Sequence, residues 1–295
     1  VDPDEDGRAG VERSLKAMEE IGFRRKAVDT AMRWAFYACA LLVILPLLLI
    51  FFDLVVKGAK EVRWSLLVDL PKPVGEPGGG IANGILGTFV ITLLTMVWSV
   101  PMAVMCGVYL GEYGRGKFAS AVRFAMDSLT GVPSIIMGIF GYVLVVLPMK
   151  RFSAWAGAVA LTMIFIPIVV RTTEEMLRTV PQNIREAALA LGIERWKTTL
   201  YIVIRTASAG IVTGILLAMA RIVGETAPLL FTALGNQFWQ FHLDQPMAAM
   251  PLQVFTYAIS PYEDWHDKAW AAALVLITMV LFINIGARVL TREKK

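Results

Sequence analysis

Charge is scarce in this chain. Asp, Glu, Lys and Arg make up 18% of its 295 residues, against about 25% in an average globular domain. A soluble chain that is 57% hydrophobic could not cover its surface with polar groups, so most of it must face lipid or other protein. Disorder and collagen-like repeats are excluded with it. Cysteine is nearly missing: Cys39 and Cys106 are the only two. Both sit in apolar runs, which excludes a disulfide scaffold and says nothing of redox compartment. Histidine is as rare, and His242 and His266 cannot supply a His/Cys metal site. HExxH, catalytic triads and paired catalytic carboxylates are not recognisable. The chain therefore reads as non-catalytic, with no metal and no cofactor of its own. The small positive excess, +4, would suggest nucleic acid in a soluble protein; in a membrane chain it reflects the placement of basic loops.

What is present is apolar length. Six segments can cross a bilayer, which takes roughly 20 helical residues: Trp34–Val56, Ile81–Leu110, Met126–Leu147, Ala154–Val170, Ala207–Phe231 and Ala269–Leu290. The expected fold class is all-α, a polytopic membrane protein of about six transmembrane helices. The first segment is too long for a cleavable signal peptide, and Phe51, Phe52 and Asp53 stand near its end where small residues would be needed. Of the 28 Lys and Arg, 20 fall on one side of these spans and 7 on the other, and Arg221 alone lies within a span. The positive-inside rule then places both termini and the basic loop 171–206 in the cytoplasm.

Five regions follow from this. Residues 1–33 form a cytoplasmic tail in which Val11, Leu15, Met18 and Ile21 recur at helical spacing, as in an amphipathic helix lying on the membrane or on a partner. Residues 34–56 are an accessory first span and 57–80 an outer loop, irregular where PKPVGEPGGG occupies 71–80. Residues 81–290 are the functional transmembrane core, and 291–295 a cytoplasmic tail. Pro101, Pro133 and Pro167 interrupt three spans. Such breaks persist where helices pack together or line a cavity. Gly107/Gly111 and Gly210/Gly214 have the GxxxG spacing that lets helices approach closely.

Few motifs carry chemistry. Gly111–Phe118, GEYGRGKF, matches a phosphate-cradling loop except at its last position, where Phe118 has no hydroxyl for a metal. It also follows a membrane helix and not a strand, so no nucleotide hydrolysis is expected in this chain. The segment PQNIREAALALGIERWKTTLYIVIR, 181–205, reads as a short helix that opens at Pro181 and ends at Gly192 in a left-handed turn, with an exit helix behind it. The small residues Ala187, Ala188 and Ala190 offer a smooth face to a groove; an ordinary helix–turn–helix loop would look the same. Arg221 is costly inside a span, about 2.5–3.5 kcal/mol at a helix centre on insertion scales. Glu225, four residues on, can pair with it. The pair either locks two helices together or opens to an anion, whose oxygens suit the guanidinium fork. Arg171, beside Thr172 and Thr173, either meets such an anion or snorkels at the interface. Thr88, Thr92 and Thr95 share a face and line a polar path or bond their own helix. Asn236, Gln237, Phe238 and Trp239, with Trp265 and Trp270, read as an interfacial belt and as a surface for an external protein.

Glu186, Ala187 and Ala188, then three residues, then Gly192 resemble the EAA---G signature of ABC importer permeases. Ile202 continues that pattern, whereas Ile204 and Arg205 stand in place of its Leu-Pro. RIVGETAPLLFT (221–232), TGVPSIIMG (130–138), PIVVRTTEEML (167–177) and GIANGILGT (80–88) are similar to the phosphate-specific permeases of the PstA type, over Gly80–Leu290. The resemblance implies a type I ABC importer permease fold in a bacterial or archaeal cytoplasmic (inner) membrane. It implies an anion path that includes Arg221, Glu225, Arg171, Thr88 and Thr92. It also implies a coupling helix at Glu186, Ala187, Ala188 and Gly192 that docks on a separate ATPase. The implied partners are a second, related permease, two ATPase subunits that carry ATP and magnesium, and an external phosphate-binding protein. A permease for sulfate, molybdate or phosphonate is the nearest alternative. An ion-coupled secondary transporter would need midplane acids and an internal repeat; Glu225 is the one acid well inside a span, Asp127 lies only at an edge, and no repeat is evident.

Overall fold

The computed structural model describes residues 3–73, 75–76 and 78–292, with side chains described from residue 25 on, except 27, 74, 77, 287, 288 and 290–295. The spacing Val11, Leu15, Met18 and Ile21 thus lies outside the described side chains. Regular structure among the described residues is helical, apart from one isolated bridge between Leu234 and Met247. The helices are α1 (Pro3–Glu61), α2 (Trp64–Val68), α3 (Ala82–Tyr113), α4 (Lys117–Thr130), α5 (Ser134–Met149), α6 (Ala154–Arg178), α7 (Gln182–Ala190), α8 (Arg195–Val223), α9 (Ala227–Leu230), α10 (Met250–Ala258) and α11 (Glu263–Arg292). Five are long and apolar enough to cross a membrane, and the bent pair α4–α5 makes a sixth if counted as one span. The protein is a polytopic, all-α membrane protein.

The chain divides at Val55/Val56 into two units. In the first, Trp34, Phe36, Leu42, Val43 and Phe52 of α1 are all more than half exposed. A helix apolar on every side has no soluble explanation except burial and suits lipid.

The second unit is built around α6, against which α3, α4, α5 and α8 all pack. Small residues make this possible: Ala156, Gly157, Ala158 and Ala160 are buried along its first half. Both GxxxG pairs face this helix. A Cβ on Gly107 would stand 2.6 Å from the Thr173 Cβ, and one on Gly214 would stand 2.5 Å from the Thr172 hydroxyl. Gly111 meets Leu177 and Gly210 meets Met176 in the same way. Two helices therefore close on α6 at distances no larger residue permits. Pro101 and Pro167 lie within the unbroken helices α3 and α6.

Two expected spans are different. Met126–Leu147 is not one helix: α4 and α5 meet at 107°. Pro133 forces the preceding residue out of the helical region, and Gly131 closes α4. α4 is also amphipathic, with Ala119, Val122, Met126 and Leu129 packed inward, so the apolar run beginning at Met126 combined two elements. Ala207–Phe231 is broken as well. Its continuous helix stops at Val223, and the short α9 follows after Gly224–Thr226. Pro228 sits in the first turn of α9, where its missing N–H costs no helix bond. The loop 57–80 holds a short helix, α2, whose Ser65, Leu66 and Asp69 carbonyls crowd Gly80.

Candidate functional site

The Glu186–Gly192 corner is closed by a full set of backbone bonds. Gly192 has φ +77°, its N–H donates to the Leu189 carbonyl at 2.9 Å, and the Ile193 N–H reaches the Ala188 carbonyl at 3.2 Å. These two bonds define a Schellman turn, which needs a left-handed residue after the helix. Glu186, Ala187 and Ala190 are exposed, and Leu191 is 81% exposed; Ala188 is buried against the protein. The outer face of the corner is thus small and apolar, with one carboxylate. Arg205 stands where the signature has proline, and α8 runs on from the corner through a π-helical turn at Thr198–Val203.

Arg185 anchors this corner and was not singled out by the sequence pattern. Its guanidinium is 15% exposed and faces Glu112, 8% exposed, at 2.5 Å. It also donates to the carbonyls of Leu177 at 2.8 Å and Val180. Glu112 belongs to the π-helical end of α3, Tyr109–Tyr113. One arginine therefore joins the corner, the end of α6 and the end of α3. A second junction lies beside it. Glu174, buried at 3% exposure, takes Arg123 at 2.7 Å and Arg178 at 2.5 Å, and Arg123 also donates to the Leu110 and Gly114 carbonyls. Paired charges this enclosed are costly to separate, because the survivor is left desolvated.

Arg221 is not inside a straight span. It stands in the last turn of α8, with its side chain 58% exposed, and Glu225 lies just past the helix end. Their closest approach is 3.6 Å, an ion pair beyond hydrogen-bond length. A cation there is favoured by the helix C-terminus. The guanidinium fork is left largely open. Arg171 is held separately: it is half exposed and donates to Glu175 at 2.9 Å and Asp127 at 3.2 Å, which ties α6 to α4. Thr88 and Thr92 are buried. The Thr88 hydroxyl accepts from the Met250 N–H at 2.7 Å and so satisfies an orphan donor at the start of α10. Thr95 donates to the Ile91 carbonyl of its own helix at 2.8 Å. Thr88 thus ties α3 to α10, and Thr95 bonds within α3.

At the other end of α3, Asn83 donates to the Asn236 carbonyl at 2.6 Å and accepts from Gln253 at 2.7 Å. Beside it lies a cavity of about 540 Å³ bounded by Phe238, Gln253, Tyr257 and Trp265. Trp265 packs on Tyr257 with 5.0 Å between ring centres and Trp270 lies under Lys57; Phe238 and Phe241 remain more than 70% exposed. No group of three or more His, Cys, Asp or Glu suited to a metal occurs among the described residues.

Residues 100–295 match the family described as binding-protein-dependent transport system inner membrane component. Among known proteins, the chain is 46% identical over 250 residues to the phosphate transport system permease protein PstA of Yersinia pestis, covering 84% of this chain and 85% of that one. With PstA of Haemophilus influenzae it shares 43% over 272 residues, covering 92% and 96%. With PstA of Mycobacterium leprae it shares 36% over 285 residues, covering 93% of each. Among solved structures, a bacterial alginate ABC transporter chain superposes with a TM-score of 0.65 at 14% identity, over 90% of this chain and 96% of that one. An inward-facing MetNI methionine ABC transporter chain gives 0.58 at 19%, over 72% and 94%. These last two likenesses are of fold.

Proposed function

From the premise that the chain belongs to the family of binding-protein-dependent transport-system inner-membrane components, we propose that it is the PstA-type permease subunit of an ATP-driven phosphate importer. The observation that carries the substrate is the 43–48% identity, over more than four-fifths of the chain, to relatives named for phosphate transport. In this reading the chain lies in the cytoplasmic membrane, and both termini and the Glu186–Gly192 corner face the cytoplasm. An external binding protein delivers phosphate at the opposite face. A second, related permease completes the path. Two ATPase subunits carry ATP and magnesium, and one of them holds the corner.

The exposed Schellman corner and its Arg185 anchor support the coupling half. A groove that grips Glu186, Ala187 and Leu191 pulls on Arg185, and through it on Glu112 and the end of α3. Conformational change then follows from ATP state, provided the ATPase binds one arrangement of the permease pair better than the other. The open guanidinium of Arg221 supports the substrate half. It sits at a helix break, where a planar fork of donors is free to meet phosphate oxygens, while Glu225 offsets its charge when the path is empty. Substrate choice is tested with radiolabelled phosphate in vesicles holding the copurified complex. Excess sulfate, molybdate or phosphonate should leave uptake unchanged; competition by one of them at the potency of phosphate would assign a different oxyanion.

A further inference from the structure

Behind the corner, between the end of α3 and the start of α8, lies a recess of about 560 Å³. It is of small-molecule size, within the roughly 300–1,000 Å³ usual for ligand pockets. Arg115, Arg178, Arg185 and Arg195 line it with a single carboxylate, Glu112. That carboxylate is already used: both its oxygens take Arg185. Arg178 shares Glu174 with Arg123. Arg195 donates to the Glu112 backbone carbonyl at 2.9 Å, with its guanidinium 5.3 Å from the Tyr113 ring centre, so it is fixed without being neutralised. Arg115 has no ion-pair partner among the described residues. Five arginines, counting Arg123, therefore meet two carboxylates.

We propose that this recess is an oxyanion site for a phosphate-type group, either inorganic phosphate or the phosphodiester head of an anionic lipid. It is distinct from the path at Arg221, and it goes beyond the permease reading. The guanidiniums of Arg115, Arg178 and Arg195 hold the anion, while Arg185 stays on Glu112. GEYGRGKF contributes here after all, through the Arg115 side chain and not through a glycine cradle: Gly111, Glu112 and Arg115 all border the recess. The recess favours a small anion over an acidic protein segment, because it lies beneath α7 and the corner's exposed face is a separate surface of Glu186, Ala187, Ala190 and Leu191. Since α7 is tied to its wall by Arg185, an occupant stiffens the joint between the corner and α3.

The test uses the complex that copurifies with the full-length chain, in nanodiscs of phosphatidylcholine without ATP. Phenylglyoxal modifies arginines, and peptide mass spectrometry reads Arg115 against Arg205, which is exposed on α8 and does not border the recess. Inorganic phosphate should slow modification of Arg115 several-fold and saturably, and leave Arg205 unchanged. Protection by phosphatidylglycerol without added phosphate assigns the occupant to lipid, and the same chemistry stands. Arg178→Gln and Arg195→Gln should each raise the half-protecting concentration about tenfold, which is about 1.4 kcal/mol. Equal modification of Arg115 under all conditions overturns the proposal. So does protection that neither variant weakens, and so does an Arg115 already unreactive in phosphatidylcholine without phosphate, which would mean that protein covers it. None of these readouts requires uptake, so a failed transport assay leaves them interpretable.

Discussion

Arg221 carries a full charge where α8 stops, and that position makes its role separable from folding. It is mostly exposed and its partner is 3.6 Å away, a pair worth at most about 1 kcal/mol to stability when screened by solvent. Arg221→Ala should therefore leave the complex assembled and thermally unchanged while phosphate uptake is lost; uptake at the native rate would remove this residue from the path. Thr88 makes the opposite prediction. Its buried hydroxyl is the acceptor for the Met250 N–H, and Thr88→Val strands that donor at a cost of about 1–3 kcal/mol. Thr88→Val should lower the unfolding temperature of the detergent-solubilised protein and Thr88→Ser should not. Equal stability of the two variants would show that the Thr88–Met250 bond does not hold these helices together.

At the scale of elements, the corner and its anchor have different sensitivities. Nothing lies within 4 Å of a Cβ at Gly192, but its φ of +77° is unfavourable for any side chain. Gly192→Pro, which cannot adopt that angle, or Glu186→Lys, which reverses the corner's charge, should detach or uncouple the ATPase. Intact copurification with full ATP-driven uptake would defeat the docking assignment. Arg185→Met leaves Glu112 buried and unpaired, a loss of about 3–5 kcal/mol in comparable cases. It should weaken ATPase retention as strongly as a change on the corner's own surface. If the ATPase stays bound and ATP hydrolysis remains stimulated by the binding protein, Arg185 is not the link between α7 and α3.

Much of this element was legible in the order of residues. Glu186 to Gly192 is a local signal, because a helix end and its left-handed turn involve neighbours in sequence. The anchor was not legible, since Arg185 and Glu112 lie 73 positions apart and Arg123 and Glu174 lie 51 apart. Hydropathy also marked α3, α6 and the membrane part of α11 well, because each is one continuous apolar helix. It ran the third span across a bend and carried the fifth past its end at Val223, because apolar content continues in both places. Composition has no record of the 107° bend at Gly131–Pro133 or of the stop at Val223.

For the molecule as a whole, α6 is the common wall that α3 and α8 approach through glycine pairs; α3 ends and α8 begins beside the Glu186–Gly192 corner. Movement imposed on the corner therefore reaches two helices at once. A leucine at Gly107 or Gly214 would have to displace Thr173 or Thr172, so either variant should reduce the yield of folded protein more than any change on the exposed corner. What drives transport separates an ATP-driven importer from an ion-coupled transporter most directly. In proteoliposomes of the copurified complex, radiolabelled phosphate should accumulate only with ATP on the side of the Glu186–Gly192 corner and binding protein on the other. Accumulation driven by a proton gradient, with ATP and binding protein both omitted, would contradict the ATP-driven importer.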